Sequence, residues 1–140
     1  MNHLVVLDAR AGELEKILSG LKTMLVKEFD PAQSASHPVN PGDSLYFLRD
    51  RNECAVRVKA FVVRALFFTN HVEEGLSRVL KEMQPRLQFT EDQYNFWSGK
   101  EQVLLVEFEF AQKIGVIQVA AHQITGQAGW IAFESFSQIT

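Results

Sequence analysis

In the stretch SGLKTMLVKEF, Ser19 to Phe29, two lysines flank the apolar run Met24-Leu25-Val26. Their ammonium groups are of the type that grips an anionic ligand. If 22–29 is a strand, alternate side chains point to opposite faces, so Lys22 and Lys27 share a patch only where the chain bulges or twists. Lys22, with Thr23 beside it, follows a glycine helix stop and can reach a cleft from there. Otherwise it complements the negative end of the helix and stays in water. Lys27 reads as a second contact or as a rim charge.

Arg57 and Lys59 fall on one face of a later strand with Phe61 beside them. That combination can hold a phosphate by charge and a base by stacking, or can simply be solvated. Arg49 and Arg51 bracket a polar turn and are candidate phosphate contacts. His37 titrates near neutrality and sits in a proline-rich loop, where it reads as a ligand contact or an exposed side chain. Tyr94, Phe96 and Trp97 form an aromatic cluster, read as core packing with a stacking wall as the alternative; Trp130 reads as packing.

Several chemistries are excluded. No Ser-His-Asp arrangement, nucleophile elbow, phosphate-cradling glycine loop or metal motif appears, and no cofactor is expected. Cys54 is the single cysteine, so no intramolecular disulfide can form, and it reads as a small buried hydrophobe. The net charge of −3 argues against a surface coated in basic charge. Charge is uneven: residues 22–64 carry seven Lys or Arg against five acids, residues 65–140 five against nine. No leader peptide or membrane span is read, and a reduced, cytoplasmic protein is expected.

These residues need elements to position them. The 140 residues suit one domain, 1–140, with one core. HLVVLDA reads as a first strand, with Asp8 placed to cap a helix in which Leu14, Ile17, Leu18 and Leu21 recur at helical spacing up to Gly20. KTMLVKEF reads as a second strand. Asp30 to Asp43, with three prolines, is a long loop. Segments 44–49 and 54–68 form a hairpin, its second arm alternating cleanly. HVEEGLSRVLKEMQP is a helix stopped by Pro85, and TEDQYNFW opens with a capping box, Thr90 to Gln93. EQVLLVEFEFAQ is a strand with Leu104, Val106, Phe108 and Phe110 facing inward, followed by further strands in IGVIQVAAHQI and GWIAFESF. The order predicts an α+β chain closed as a small mixed β-barrel with two to three short helices.

This order, with ILSGLKT, VNPGDSLYF and VRVKAFVVRALFF, resembles the ASCH family of the PUA-like barrels over about residues 13 to 110. The resemblance implies a module binding RNA, a nucleotide or a modified nucleoside in a cleft lined by the Gly-x-Lys segment and the neighbouring loop. Against the family pattern Gly-x-Lys-x-x-Glu-x-Arg, Gly20 and Lys22 match, Lys27 replaces the arginine, and Leu25 departs from the glutamate. A subgroup hydrolyses acylated cytidines with a lysine, a threonine and a glutamate. Lys22 matches the lysine, Leu25 stands at the threonine, and Glu73 or Glu74 could supply the carboxylate.

Three functions follow as expectations. The first is a nucleotide- or RNA-binding module with its cleft near Lys22 and the 30–43 loop. Binding tolerates the change at Leu25 better than proton transfer does. The second is a small amidohydrolase, which requires a desolvated Lys22. The third is a protein-interaction domain that has lost its ligand.

Overall fold

The computed structural model describes residues 1–29, 31, 38–69, 75–124 and 129–140. His37, Glu73 and Glu74 lie outside the described residues.

Strand β1 (Asn2–Val6) leads through a turn to α1 (Glu13–Leu18) and then β2 (Met24–Glu28). Strands β3 (Ser44–Leu48) and β4 (Ala55–Thr69) form the expected antiparallel hairpin. Helices α2 (Gly75–Glu82), α3 (Gln84–Leu87) and α4 (Glu91–Ser98) precede the long β5 (Gln102–Gln118). A short α5 (Ala121–Ile124), β6 (Trp130–Phe133) and a 3-10 turn (Phe136–Gln138) complete the chain. The sheet order is β2-β5-β4-β3-β1-β6, with β1 parallel to β3 and the other pairs antiparallel.

The sheet curls into a half-barrel whose inside holds Val5, Leu25, Phe47, Val58, Val62, Val106 and Phe108. Its outer face is covered by the C-terminal segment through Phe133 and Ile139 against Tyr46 and Val56. On the β2–β5 side, Leu76, Leu80, Leu87 and Phe89 pack on Met24, Val103 and Leu105. Every hydrogen-bonded ladder thus has apolar side chains on at least one face, the arrangement that makes an antiparallel sheet stable.

Several expectations are corrected. More short helices form than two or three, because Pro85 sits at the start of α3, where its missing N–H costs nothing, as well as ending α2. The separate strand read over 114–124 does not form: residues 114–118 continue β5, since β4 is long enough to pair with it, and Ala121–Ile124 form α5. Asp8 does not cap α1; the N-cap is Gly12, at φ 66°.

Phe110 does not face inward either. Phe61 pairs with Glu109 and Lys59 with Gln112, so Phe110 and Ala111 together oppose Ala60. This β-bulge holds Phe110 at φ 57° and turns its ring outward, 71% exposed, while Ala111 packs against the interior. Thr90 and Gln93 form the expected reciprocal capping box of α4.

Candidate functional site

Strands β2 and β6 are the two edges of the sheet and do not pair with each other. Along this open seam lies a cleft of about 680 Å³, floored by Val5 to Leu7 and walled by Leu25 to Phe29 and by Gly129 and Trp130. Phe89, Gln93, Phe96 and Trp97 close it from the helical side. Arg51 reaches it from the turn after β3, and Pro31 is its contribution from the long loop among the described residues. A wider groove of about 730 Å³ continues it past Gln93, Phe96 and Trp97 towards Asp8, Asp50 and Asp92.

Lys22 enters this site because of how α1 ends. Gly20 adopts φ 83°, and the Lys22 N–H donates to the Lys16 carbonyl at 3.0 Å, which turns the chain back on the helix. Leu21 is thrown outward, 59% exposed, and Lys22 inward, 1% exposed. Its ammonium donates to the Leu87 carbonyl at the end of α3 at 2.5 Å and stands 3.4 Å from Glu13 Oε2. The Phe89 ring lies 5.1 Å away. Burial pushes the Lys22 pKa below its usual value, and the Glu13 carboxylate offsets part of that shift. Glu13 is itself fixed, its Oε1 accepting the Asp8 N–H at 2.7 Å. Lys22 therefore serves a helix C-terminus, but the one belonging to α3, and out of water.

Lys27 shares the cleft with Lys22, against the expectation from strand alternation. The strand begins only at Met24, so Lys22 precedes it and is not bound by its pleat. Lys27 points the same way as Leu25, into the half-barrel, with Nζ 6.0 Å from the centre of the Trp130 ring across the seam.

Trp130 is positioned by a buried polar chain that sequence reading passed over. Its indole N–H donates to His3 Nδ1 at 3.1 Å, and His3 Nε2 bonds Asp43 Oδ2 at 2.8 Å. The indole can only donate, so Nδ1 is the acceptor and Nε2 carries the proton. Burial lowers the His3 pKa, with Asp43 opposing, and keeps the ring neutral. Asp43 is also desolvated, yet His3 and the Asn40 N–H, 2.9 Å away, together hold its carboxyl below the ordinary range. His3 sits on a strand in an apolar run, where periodicity marks it only as an inward position. The GD turn placed Asp43, but nothing in the sequence linked it to residues 40 and 87 positions away.

The remaining candidates are dispersed. Thr23 is tied through its backbone, its N–H to the Arg86 carbonyl and its own carbonyl to the Phe108 N–H. Arg49 pairs with Glu15 at 2.9 Å and Arg57 with Glu53 at 3.0 Å, both on the exposed surface. Lys59 lies over the Phe61 and Tyr46 rings, on the outside of the sheet. None of these four lines the cleft. Phe96, Trp97 and Trp130 all form cleft wall; Trp97 and Trp130 also pack against the core, whereas Phe96 is 58% exposed and meets the Trp97 ring edge-on. Cys54 is half-buried at the edge of the outer cluster. Among the described residues no cluster of His, Cys, Asp or Glu could hold a metal ion. No helix among them is long and apolar enough to cross a membrane.

The curled six-stranded sheet with its short helices has the α+β fold of ASCH-type structures. Among solved structures, the ASCH protein of Zymomonas mobilis matches it with a TM-score of 0.69 at 14% identity, over 98% of this chain and 91% of that one. A single-residue variant of that protein matches at 0.70 and 13% identity, over 98% and 93% of the two chains. No protein-family model matches the sequence, and no curated protein does. The shared property is the fold.

Proposed function

We propose that the seam cleft binds one nucleotide unit, either a free nucleotide or a residue of single-stranded RNA. The observation that carries this reading is the composition of the walls. Both tryptophans of the chain, Trp97 and Trp130, line the cleft with Phe89 and Phe96, and Lys27 and Arg51 stand in the same walls. Aromatic faces hold a base by stacking, and the two cations suit a phosphate. A volume of about 680 Å³ falls in the range of small-ligand sites. The cations Lys22, Lys27 and Arg51 outnumber Glu13 and Glu28 by one, which favours a singly or doubly charged anion over a polyanion.

The test is a titration of 5′-nucleoside monophosphates and short single-stranded RNA, followed by intrinsic fluorescence, since both emitters line the cleft. Saturable quenching is expected, with affinity falling about tenfold in Lys27→Ala, as for loss of one charge-assisted contact. An unchanged spectrum with every ligand would rule the reading out.

One observation favours a second reading, hydrolysis of an acylated nucleoside. Desolvation of Lys22 lowers its pKa, and among the described residues Glu13 is the carboxylate beside it. Leu25, at the position of the subgroup's threonine, is buried and apolar. Incubation with N4-acetylcytidine, followed by NMR, tests it. Release of acetate that persists in both Lys22→Met and Glu13→Gln would remove these two residues from the chemistry.

A further inference from the structure

We propose that Gln93 is a specificity-determining residue that selects ligands presenting a carbonyl, rather than an amino group, to the helical wall of the cleft. This rests on the nucleotide reading and assigns the class of base. The amide of a glutamine can usually turn over and either donate or accept. At Gln93 it cannot. The N–H of Thr90 is a donor, and it faces the Gln93 side chain at 3.0 Å, so the atom there must be the carbonyl oxygen Oε1. The reciprocal bond, from the Gln93 N–H to Thr90 Oγ1 at 3.2 Å, fixes the backbone on which that side chain is mounted. The capping box of α4 thereby commits the oxygen and leaves the amide nitrogen, with two hydrogens and no hydrogen-bond partner among the described residues, on the wall shared by the cleft and the groove.

The two carboxylates that line the cleft are already engaged. Glu13 accepts from the Asp8 N–H with one oxygen and faces Lys22 with the other. Glu28 is paired with Lys100 at 3.5 Å. The Trp130 indole N–H is turned away to His3. Lys27 and Arg51 can only donate. The cleft thus offers more donors than acceptors, while Asp8, Asp50 and Asp92 lie along the adjoining groove. A uracil or hypoxanthine ring places a carbonyl where cytosine or adenine places an amino group, and an amino group facing the Gln93 amide would leave two donors opposed. Gln93 is half-buried, so water softens the penalty, and a preference of about tenfold is expected.

The experiment is isothermal titration calorimetry of the full chain with uridine, cytidine, inosine and adenosine 5′-monophosphates, repeated on Gln93→Glu. Glutamate is an ordinary capping-box residue and still accepts from the Thr90 N–H, so the variant should melt as the parent does. Its second oxygen replaces the donating nitrogen. The expected result is tighter binding of the uridine and inosine nucleotides by the parent, with the order reversed in the variant. Four equal affinities in both proteins would overturn the role of Gln93 while leaving the nucleotide reading intact. Binding of none of the four to either protein would overturn that reading, and this inference with it.

Discussion

At the scale of the residue, the distinctive feature is a lysine kept out of water. A buried ammonium with one carboxylate and one carbonyl partner is not a strong source of stability, because desolvation opposes the attraction. Lys22 has a lowered pKa in the folded chain, so the unfolded chain binds more protons in the interval between that value and the ordinary 10.5. Stability therefore rises with pH across that interval, at no more than about 1.4 kcal/mol per pH unit, the limit for one proton. Lys22→Met should lack this rise. Thermal melts of both proteins from neutral pH upward measure the difference, and parallel curves would show that Lys22 carries no such linkage. Lys22 was legible as a candidate from its place after Gly20. Its burial was not, because the carbonyl and carboxylate that accept its ammonium belong to α3 and α1, one of them 65 residues away.

At the scale of the element, local signals worked where the controlling contacts are local. The capping box at Thr90, the left-handed Gly20 and the 44–68 hairpin depend on neighbours a few residues distant, and all were readable. The bulge in β5 was not. A strict alternation of Leu104, Val106, Phe108 and Phe110 predicts four inward side chains, and only the pairing with β4 inserts the extra residue that breaks it. Phe110 occupies the left-handed position that glycine usually fills in such a bulge, at a cost of about 1 kcal/mol. Its ring is largely in solvent and loses little on removal. Phe110→Gly is therefore expected to raise stability by up to about 1 kcal/mol, read from urea midpoints at constant m-value. A loss of stability would mean that the exposed ring packs more than its accessibility shows.

At the scale of the whole molecule, the sheet is an incomplete barrel. Edge strands β2 and β6 remain unpaired with one another, and the cleft lies along the gap between them. The net charge of −3 and the small number of cations in the cleft limit how much counterion release can contribute. With one or two phosphates neutralised, a plot of log affinity for single-stranded RNA against log salt should have a slope between about −0.7 and −1.4. A much steeper slope would require a basic surface outside the seam, for which Lys59 on the outer sheet face and the exposed Arg57 are candidates.

The sequence by itself determined the α+β class, the order of most elements and the inward or outward sense of side chains where no bulge interrupts the pleat. Those properties follow from side-chain periodicity and from turn chemistry, which act over a few bonds. Tertiary structure alone decided which residues meet. Lys22 and Lys27 converge because one lies just outside the strand that holds the other. His3, Asp43 and Trp130 join because β3, β1 and β6, far apart in sequence, pair side by side in the sheet. Trp97 and Gln93 become part of the cleft wall because α4 is carried over the open seam. Such meetings depend on how distant segments are closed into one core, and no local spacing encodes that closure.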